Sequence, residues 1–222
     1  MNHHIEEILN IILPPIENLP GAGDLGIAKE MFRIKINEEK NNLKIGINNN
    51  KKNIISICRL VDQKNIFEIF NIAEKLQIYN FIVLGDGLLL EKAKMYLKNK
   101  DIKNVFLLGN QADIFNYLYE SDLFLSTSLY EGHPISILEA MSIGLPIVAS
   151  KVTGNVDTIK NDISGFFYRL GDIKQATYLI EKIMKNNALK LQLSNNSFFT
   201  HRKLFTTSKM KNSYISLYKK FS

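Results

Sequence analysis

The sequence predicts an α/β domain built on a doubly wound, Rossmann-like parallel sheet of about six strands. From Ile54 onward, short apolar segments alternate with longer segments whose apolar residues recur at helical spacing. The short segments do not alternate apolar with polar residues, which is expected when helices cover both faces of a sheet. Strand–helix alternation of this kind implies right-handed crossovers between parallel strands.

The predicted elements follow one another in a regular order from Ile54 onward. The predicted strands are residues 54–58, 81–84, 105–108, 123–125, 146–149 and 165–168. The predicted helices are residues 66–76, 88–97, 112–119, 135–143, 173–185, 188–193 and 209–221. Asn65 stands where it can cap the first helix. Residues 1–51 lack this pattern: a short strand at Ile8–Leu13 stops at two prolines, and a long stretch rich in Asn and Lys follows.

The composition supports a globular domain and argues against one class of partner. Hydrophobic residues make up 45% and charged residues 23% of the 222, which allows a sizeable core. The formal charge of +6 comes almost entirely from lysine, and no arginine-rich or aromatic-interleaved basic stripe indicates nucleic acid. We interpret the lysines mainly as solvated surface, while peripheral contact with an anionic membrane face stays open.

The sequence also predicts a cytoplasmic protein. Its single cysteine, Cys58, cannot form an intrachain disulfide, which fits a reducing compartment. No run of ~18 apolar residues is present that would span a membrane. The start of the sequence lacks a basic segment followed by an apolar one, so no signal peptide is predicted.

One segment after a predicted strand has the features of an anion-binding helix start. In doubly wound sheets, ligands bind at the carboxyl ends of the strands. Pro134 suits the first helical position because it has no amide hydrogen to leave unpaired, and Gly132 lets the backbone approach a ligand closely. The free amides of Ile135 and Ser136 then favour a phosphate or sugar oxygen.

Two carboxylates flank these amides. Glu131 lies in the loop before the helix, and Glu139 shares the helix face of Ile135, four residues earlier. A plain helix cap with a solvated Glu139 explains this segment equally well.

Two cations follow the first strand of the domain. Arg59 and Lys64 lie on a strand-to-helix loop, where a guanidinium and an ammonium can converge on a diphosphate. Taken alone, two solvated surface cations are the better explanation. Gly85-Asp86-Gly87 marks another strand-end turn, but it lacks the third glycine of the dinucleotide fingerprint.

Taken together and in order, these features resemble the C-terminal, donor-binding domain of retaining GT-B glycosyltransferases, the family called glycosyltransferase family four or group one. The resemblance runs from about Ile54 to Asp172, and the two glutamates separated by seven residues are its signature. The matching residues are Arg59-Leu60, Lys64, Gly85-Asp86-Gly87, 106–109, 121–125, Ser128, Glu131-Gly132-His133-Pro134, Glu139-Ala140-Met141, Gly144, 146–149, Gly165 and Gly171-Asp172.

The resemblance implies a role for each main site residue. Arg59 and Lys64 would bind the donor diphosphate, with help from the amides of Ile135 and Ser136. Glu139 would accept hydrogen bonds from the ribose hydroxyls.

The remaining implied roles concern the donor sugar and the nucleobase. Glu131 would be the catalytic residue that contacts hydroxyls of the donor sugar. Gly132, His133 and Pro134 would line the sugar pocket, and the less favoured alternative for His133 is a loop residue without a ligand contact. Gly109 and Asn110 would frame the nucleobase. The family needs no metal, so we expect no cofactor beyond the nucleotide sugar itself.

The resemblance also divides the chain into three predicted parts. Family members begin with a second Rossmann-like domain, of which only Ile8–Ile16 resembles the closing strand and linker. We therefore predict a largely irregular remnant of that domain at residues 1–51, the nucleotide-sugar-binding domain at 52–200, and a helix at 201–222 that would pack on the missing domain.

Three positions depart from the family pattern. Cys58 replaces a usual Gly, Gly154-Asn155 replaces a common Gly-Gly, and Asp157 replaces a usual Glu.

Three functions stay open at this point. The leading hypothesis is transfer of a sugar from a nucleoside diphosphate to an acceptor hydroxyl with retention, in cell-surface polysaccharide or lipopolysaccharide synthesis. The second is a non-catalytic nucleotide-sugar-binding fragment or subunit that needs a separate N-terminal half. A nucleotide-sugar epimerase is less favoured, because that chemistry also uses a cleft between two domains.

Overall fold

The computed structural model describes residues 50–206 and the single positions 209, 211, 215, 216 and 218. The predicted strand at Ile8–Leu13 and the rest of the predicted remnant before residue 50 lie outside the described residues. The predicted helix at 209–221 is described only at those five positions.

The sheet has the six parallel strands that the sequence predicts, in the order β3-β2-β1-β4-β5-β6. The strands are β1 (Asn53–Ile57), β2 (Asn80–Leu84), β3 (Val105–Leu107), β4 (Leu123–Ser126), β5 (Ile147–Ser150) and β6 (Gly165–Tyr168). The chain builds outward from β1 to β3, then returns to the other side of β1 and builds outward again from β4 to β6. The topological switch point therefore lies between β1 and β4, where such folds bind their ligands.

Seven α-helices connect or follow these strands among residues 50–206. They are α1 (Ile66–Lys75), α2 (Leu90–Asn99), α3 (Ile114–Tyr119), α4 (Ile135–Ser142), α5 (Asn155–Thr158), α6 (Ile173–Met184) and α7 (Asn187–Leu204). A 3-10 turn, Asp62–Lys64, precedes α1. The predicted helices agree with α1 to α4 and α6 to within a few residues.

The sheet is buried on both faces, as the unbroken apolar strands predicted. One hydrophobic cluster joins the sheet to α1, α2 and α6, and it includes Leu123 and Leu125 of β4. Phe124 is just as buried but lies outside that cluster, because successive strand residues point to opposite faces. Helix α4 packs on β4 and β5 and against α7.

Three local predictions are corrected by the structure. Asn65 occupies the N-cap position of α1 in a left-handed conformation, but its side chain donates to the Glu68 carboxylate (2.7 Å) and caps no backbone amide. Pro134 is the N-cap of α4, and Ile135 is its first helical residue. Helix α7 extends to Leu204, well past the predicted end at residue 193. Helix α5 has no counterpart among the predicted elements.

Candidate functional site

A pocket opens at the carboxyl ends of β1 and β4, on the switch point of the sheet. The empty space in the pocket and at its open mouth amounts to about 250 Å³, which includes open solvent. Its lining residues are Ser56, Ile57, Cys58, Lys64, Ile69, Phe124, Leu125, Ser126, Thr127, Ser128, Glu131 and Ser136. Three of the predicted site residues, Lys64, Glu131 and Ser136, are thus brought together from three separate segments.

An ion pair between Lys64 and Glu131 lies in this pocket. The Lys64 Nζ is 2.5 Å from the Glu131 Oε1, and the side chains are 19% and 9% exposed. The Ser128 hydroxyl donates to the same carboxylate oxygen over 2.6 Å. The sequence predicted both charged residues as site residues but did not predict that they would bind each other.

Hydrogen bonds to backbone carbonyls connect the loop after β4 to the turn after β1. The Thr127 hydroxyl donates to the carbonyl oxygens of Lys64 (2.9 Å) and Asn65 (3.1 Å). The Leu129 amide donates to the Gln63 carbonyl over 2.8 Å. These contacts fix the distance between the two loops, so Lys64 and Glu131 meet although 67 residues separate them.

The loop before α5 supports Glu131 from another side. The Glu131 amide donates to the Thr153 carbonyl over 3.3 Å. Gly154, with φ of +83°, lies so close that a Cβ there would be 2.5 Å from the Glu131 carbonyl oxygen. Gly154 was noted in the sequence only as a departure from the family pattern, and its close contact gives a physical reason for a glycine at this position.

The start of α4 presents unpaired backbone donors. The Pro134 carbonyl accepts hydrogen bonds from the amides of Ile137 (3.0 Å) and Leu138 (3.2 Å). The amides of Ile135 and Ser136 have no hydrogen-bond acceptor among the residues described, and Ile135 is exposed. Free amides at a helix start are suited to an anion, and the predicted contact of Ile135 and Ser136 with a diphosphate stays a prediction.

Glu139 lies one turn into α4 and is half-buried. Burial raises the pKa of its carboxyl, because a charged group is less well solvated there than in water. The carboxylate makes no hydrogen bond within the described part of the chain. Glu139 is not among the pocket-lining residues, so its predicted contact with a ribose stays a prediction.

Arg59 lies two residues after the end of β1, on the exposed surface. Its guanidinium makes no ion pair or hydrogen bond with any residue that the structure describes, and it does not line the pocket. Arg59 is therefore available to an incoming anion, but its predicted convergence with Lys64 on a diphosphate stays a prediction.

The loops after β1, β2 and β3 form one hydrogen-bonded frame. The Leu60 amide donates to the Asp86 carbonyl (2.9 Å), and the Gly85 amide donates to the Gly109 carbonyl (2.8 Å). A Cβ at Gly85 would lie 2.0 Å from the Cys58 carbonyl oxygen, so this position has no room for a side chain. Gly109 and the exposed Asn110, predicted to frame a nucleobase, lie at the carboxyl end of β3, two strands away from β1 along the sheet.

Gly132 and His133 are exposed in the loop before α4. A Cβ at Gly132 would meet nothing within 4 Å. The His133 ring lies 6.3 Å from the Phe205 ring, just after the end of α7, at an angle of 56°. The sequence did not predict this contact. The sugar-pocket role of Gly132, His133 and Pro134 stays a prediction.

Cys58 lines the pocket beside the ion pair. Burial raises the pKa of its thiol to about 12, while nearby Lys64 lowers that pKa and Glu131 raises it. The thiol is therefore protonated at neutral pH and acts as a small apolar group at the pocket wall.

The described part of the chain holds no group of three or more His, Cys, Asp or Glu side chains placed to bind a metal ion. It also contains no helix with the length and apolar character needed to cross a membrane.

The structure is a doubly wound, Rossmann-like domain with a pocket at its switch point, and comparison with known proteins identifies its family. Residues 37–198 match the family model of Glycosyl transferases group 1. The chain therefore belongs to the group 1 glycosyltransferases, and its fold is that of GT-B enzymes.

Named relatives agree with this assignment. An Escherichia coli UDP-Gal:alpha-D-GlcNAc-diphosphoundecaprenol alpha-1,3-galactosyltransferase is 35% identical over 182 residues, which cover 77% of this chain and 46% of that protein. A Campylobacter jejuni N,N'-diacetylbacillosaminyl-diphospho-undecaprenol alpha-1,3-N-acetylgalactosaminyltransferase is 30% identical over 172 residues, covering 76% and 46%. The chain thus spans about half the length of these curated relatives.

Solved structures share the fold. A complex of a mutant S. aureus TarM with UDP, Fondaparinux and alpha-GlcNAc-glycerol superposes with a TM-score of 0.71 at 25% identity, over 79% of this chain and 37% of TarM. Anabaena HepE with UDP and glucose superposes with a TM-score of 0.75 at 19% identity, over 83% of this chain and 51% of HepE. The second likeness shows the fold alone.

Proposed function

We propose that this domain binds a nucleoside diphosphate sugar at the carboxyl ends of β1 and β4, as the donor site of a retaining glycosyltransferase. The observation that carries the proposal is the pocket at the switch point. There Lys64 and Glu131 lie beside the start of α4, with its two unpaired amides. A cation and a helix start together suit a diphosphate, and a carboxylate beside them suits the hydroxyls of an attached sugar.

Each part of the donor has a place in this proposal. The diphosphate lies between Lys64, Arg59 and the amides of Ile135 and Ser136. The half-buried carboxylate of Glu139 accepts from the ribose hydroxyls, which would give it hydrogen bonds that no described residue supplies.

The sugar lies against Glu131 and the Gly132–Pro134 loop, and the base lies near Gly109 and Asn110. No metal is needed, because the two cations and the helix start neutralise the diphosphate charge.

The whole protein's reaction is proposed from its relatives. The names of the Escherichia coli and Campylobacter jejuni relatives describe glycosyl transfer to sugars on diphosphoundecaprenol. We propose the same class of reaction here: transfer of a sugar, with retained anomeric configuration, during synthesis of a polysaccharide or lipid-linked glycan. Peripheral contact with an anionic membrane face would fit such an acceptor.

Calorimetric titration with UDP, GDP and ADP tests the donor site. UDP is the first choice because TarM was solved with it. Replacing Lys64 with methionine removes a charge-assisted contact of about 1.5–3 kcal/mol, which is roughly a tenfold to hundredfold loss of affinity.

Lys103→Met is the matched control for this titration. Lys103 is exposed, pairs with Asp101 and precedes β3, so it lies at the amino ends of the strands, away from the pocket at their carboxyl ends. It should leave the affinity unchanged. The donor-site proposal fails if no nucleoside diphosphate binds at millimolar concentration, or if Lys64→Met binds as well as the unchanged protein.

Turnover separates the catalytic proposal from the binding-only alternative. The purified chain is incubated with the UDP-sugar that binds best, and release of UDP is measured. Release that depends on Glu131 supports a catalytic chain, whereas tight binding without release favours a nucleotide-sugar-binding subunit.

A further inference from the structure

We propose that the Lys64–Glu131 ion pair competes with the donor diphosphate, so that Lys64 changes partner on binding and Glu131 is released to the sugar. This inference rests on the proposed function, because it concerns the same pocket. It adds a step to that function: the free protein holds its diphosphate-binding cation and its sugar-binding carboxylate on each other.

The contacts of Glu131 carry the first part of the argument. Lys64 and Ser128 both donate to Oε1, at 2.5 and 2.6 Å. The other carboxylate oxygen, Oε2, has no donor among the residues that the structure describes. Ser128 can therefore keep Glu131 in place when Lys64 leaves, because its hydroxyl already donates to that carboxylate.

Electrostatics carries the second part. The ammonium and the carboxylate are largely shielded from water, with side chains only 19% and 9% exposed. A diphosphate that entered while Lys64 still held Glu131 would place two anions on one cation in a poorly solvated pocket, where like charges repel strongly. Because one ammonium cannot compensate both anions, contact of Lys64 with the diphosphate requires that its contact with Glu131 be broken.

The exchange makes the site sensitive to the sugar. With a bare nucleoside diphosphate, the released Glu131 keeps the Ser128 hydroxyl but gains no new donor. With a nucleoside diphosphate sugar, a sugar hydroxyl can donate to the freed carboxylate. The ion pair therefore weakens binding of the nucleoside diphosphate product more than binding of the nucleotide-sugar donor. This difference would favour product release.

The test is a double-mutant cycle on UDP affinity, measured by calorimetry with Glu131→Gln, Lys64→Met and the double variant. Glu131→Gln removes the competitor while keeping the side-chain shape, so UDP should bind about two- to fivefold more tightly, the range expected for an ion pair that keeps some contact with water. In the Lys64→Met background the same change should give no gain, because Glu131 acts through Lys64. Simple repulsion between Glu131 and the ligand predicts instead that the gain persists in the double variant, and that result would overturn the proposal.

Ser128→Ala should move UDP affinity the other way. Without the serine hydroxyl, Lys64 is the remaining donor to Glu131 Oε1, so the ion pair is harder to break and UDP should bind a few-fold more weakly. Glu181→Gln is the control for removing one carboxylate; Glu181 pairs with Lys185 near the end of α6 and should leave affinity unchanged. Unchanged or tighter binding by Ser128→Ala contradicts the proposal.

Cys58 provides a readout that needs no ligand. It is the single cysteine of the sequence and lines the same pocket. Because Lys64 lowers and Glu131 raises its pKa, iodoacetamide should label it faster in Glu131→Gln and more slowly in Lys64→Met. If both variants label at the rate of the unchanged protein, the ion pair does not lie beside Cys58 in solution, and the proposal fails even where UDP binds. If no variant binds UDP or any other nucleoside diphosphate, the donor-site function fails and this inference fails with it.

Discussion

Replacing Gly154 with alanine tests whether the loop before α5 supports Glu131 by direct contact. A Cβ at Gly154 would lie 2.5 Å from the carbonyl oxygen of Glu131 and 2.9 Å from its Cβ, at a φ of +83°. Gly171 supplies a matched control, since its φ is also +83° and nothing lies within 4 Å of the equivalent Cβ position. The left-handed backbone costs an L-residue about 1 kcal/mol, so Gly171→Ala should lose about that much unfolding free energy.

Gly154→Ala carries the same conformational cost and must also displace the Glu131 backbone. The nearest atoms belong to the main chain rather than to a flexible side chain. Local strain of this kind costs on the order of 1–3 kcal/mol, so Gly154→Ala should lose about 2 kcal/mol more than Gly171→Ala. In a domain of this size that difference lowers Tm by about 4–8 °C, measured by thermal unfolding with circular dichroism. Equal Tm values for the two variants would refute the claim that Gly154 supports the Glu131 loop.

Two further predictions use buried titratable groups. Burial raises the pKa of Glu139, so its charge is less favourable in the folded than in the unfolded chain at neutral pH. Glu139→Gln should therefore raise Tm without ligand yet weaken UDP binding, and a lower Tm would contradict this. Burial lowers the pKa of His201 from 6.5 to about 4, so folding stability should fall as pH drops from about 6.5 towards 4. On acidification from neutral pH to pH 4.5, the unchanged protein should therefore lose about 2 kcal/mol more unfolding free energy than His201→Gln. Parallel curves of Tm against pH for the two proteins would contradict this.

Much of the sheet could be predicted because its strands have little freedom. Each strand is short and largely apolar, Gly85 and Gly109 lie at the ends of β2 and β3, and helical segments separate the strands, so the alternation itself specifies parallel crossovers. The strand bounds differ from the predicted ones by one residue at most at either end. The pocket could be placed for the same reason, since the carboxyl ends of the strands and the switch point follow from the topology.

Two helices were not predicted correctly, for different physical reasons. Helix α5 has a single turn and begins after Gly154 in a left-handed conformation, so it offers no apolar period to read. Helix α7 buries Ser194 and Ser197 where apolar residues would mark the inner face. The Ser194 hydroxyl donates to the Gly144 carbonyl at the end of α4. The small serine side chains thus let α4 and α7 pack closely. Because they are polar, they also interrupt the apolar spacing from which a helix is predicted.

The partners of the site residues could not be read from the sequence. Lys64 and Glu131 were each assigned to a different part of the ligand, and their ion pair depends on the hydrogen bonds from Thr127 to the Lys64 turn. Ser128 was matched only as part of the family pattern, and its contact with Glu131 Oε1 gives it a physical role. Such contacts arise from the tertiary arrangement of loops that are far apart in the chain.

Binding of a diphosphate between Lys64 and the start of α4 is tested most directly by the backbone amide shifts of the 15N-labelled protein, followed by NMR during titration with UDP. We expect the amides of Ile135 and Ser136 to shift most strongly and in parallel with saturation, and Lys64→Met to remove these shifts. Saturable shifts confined to other parts of the domain, with Ile135 and Ser136 unmoved, would contradict it.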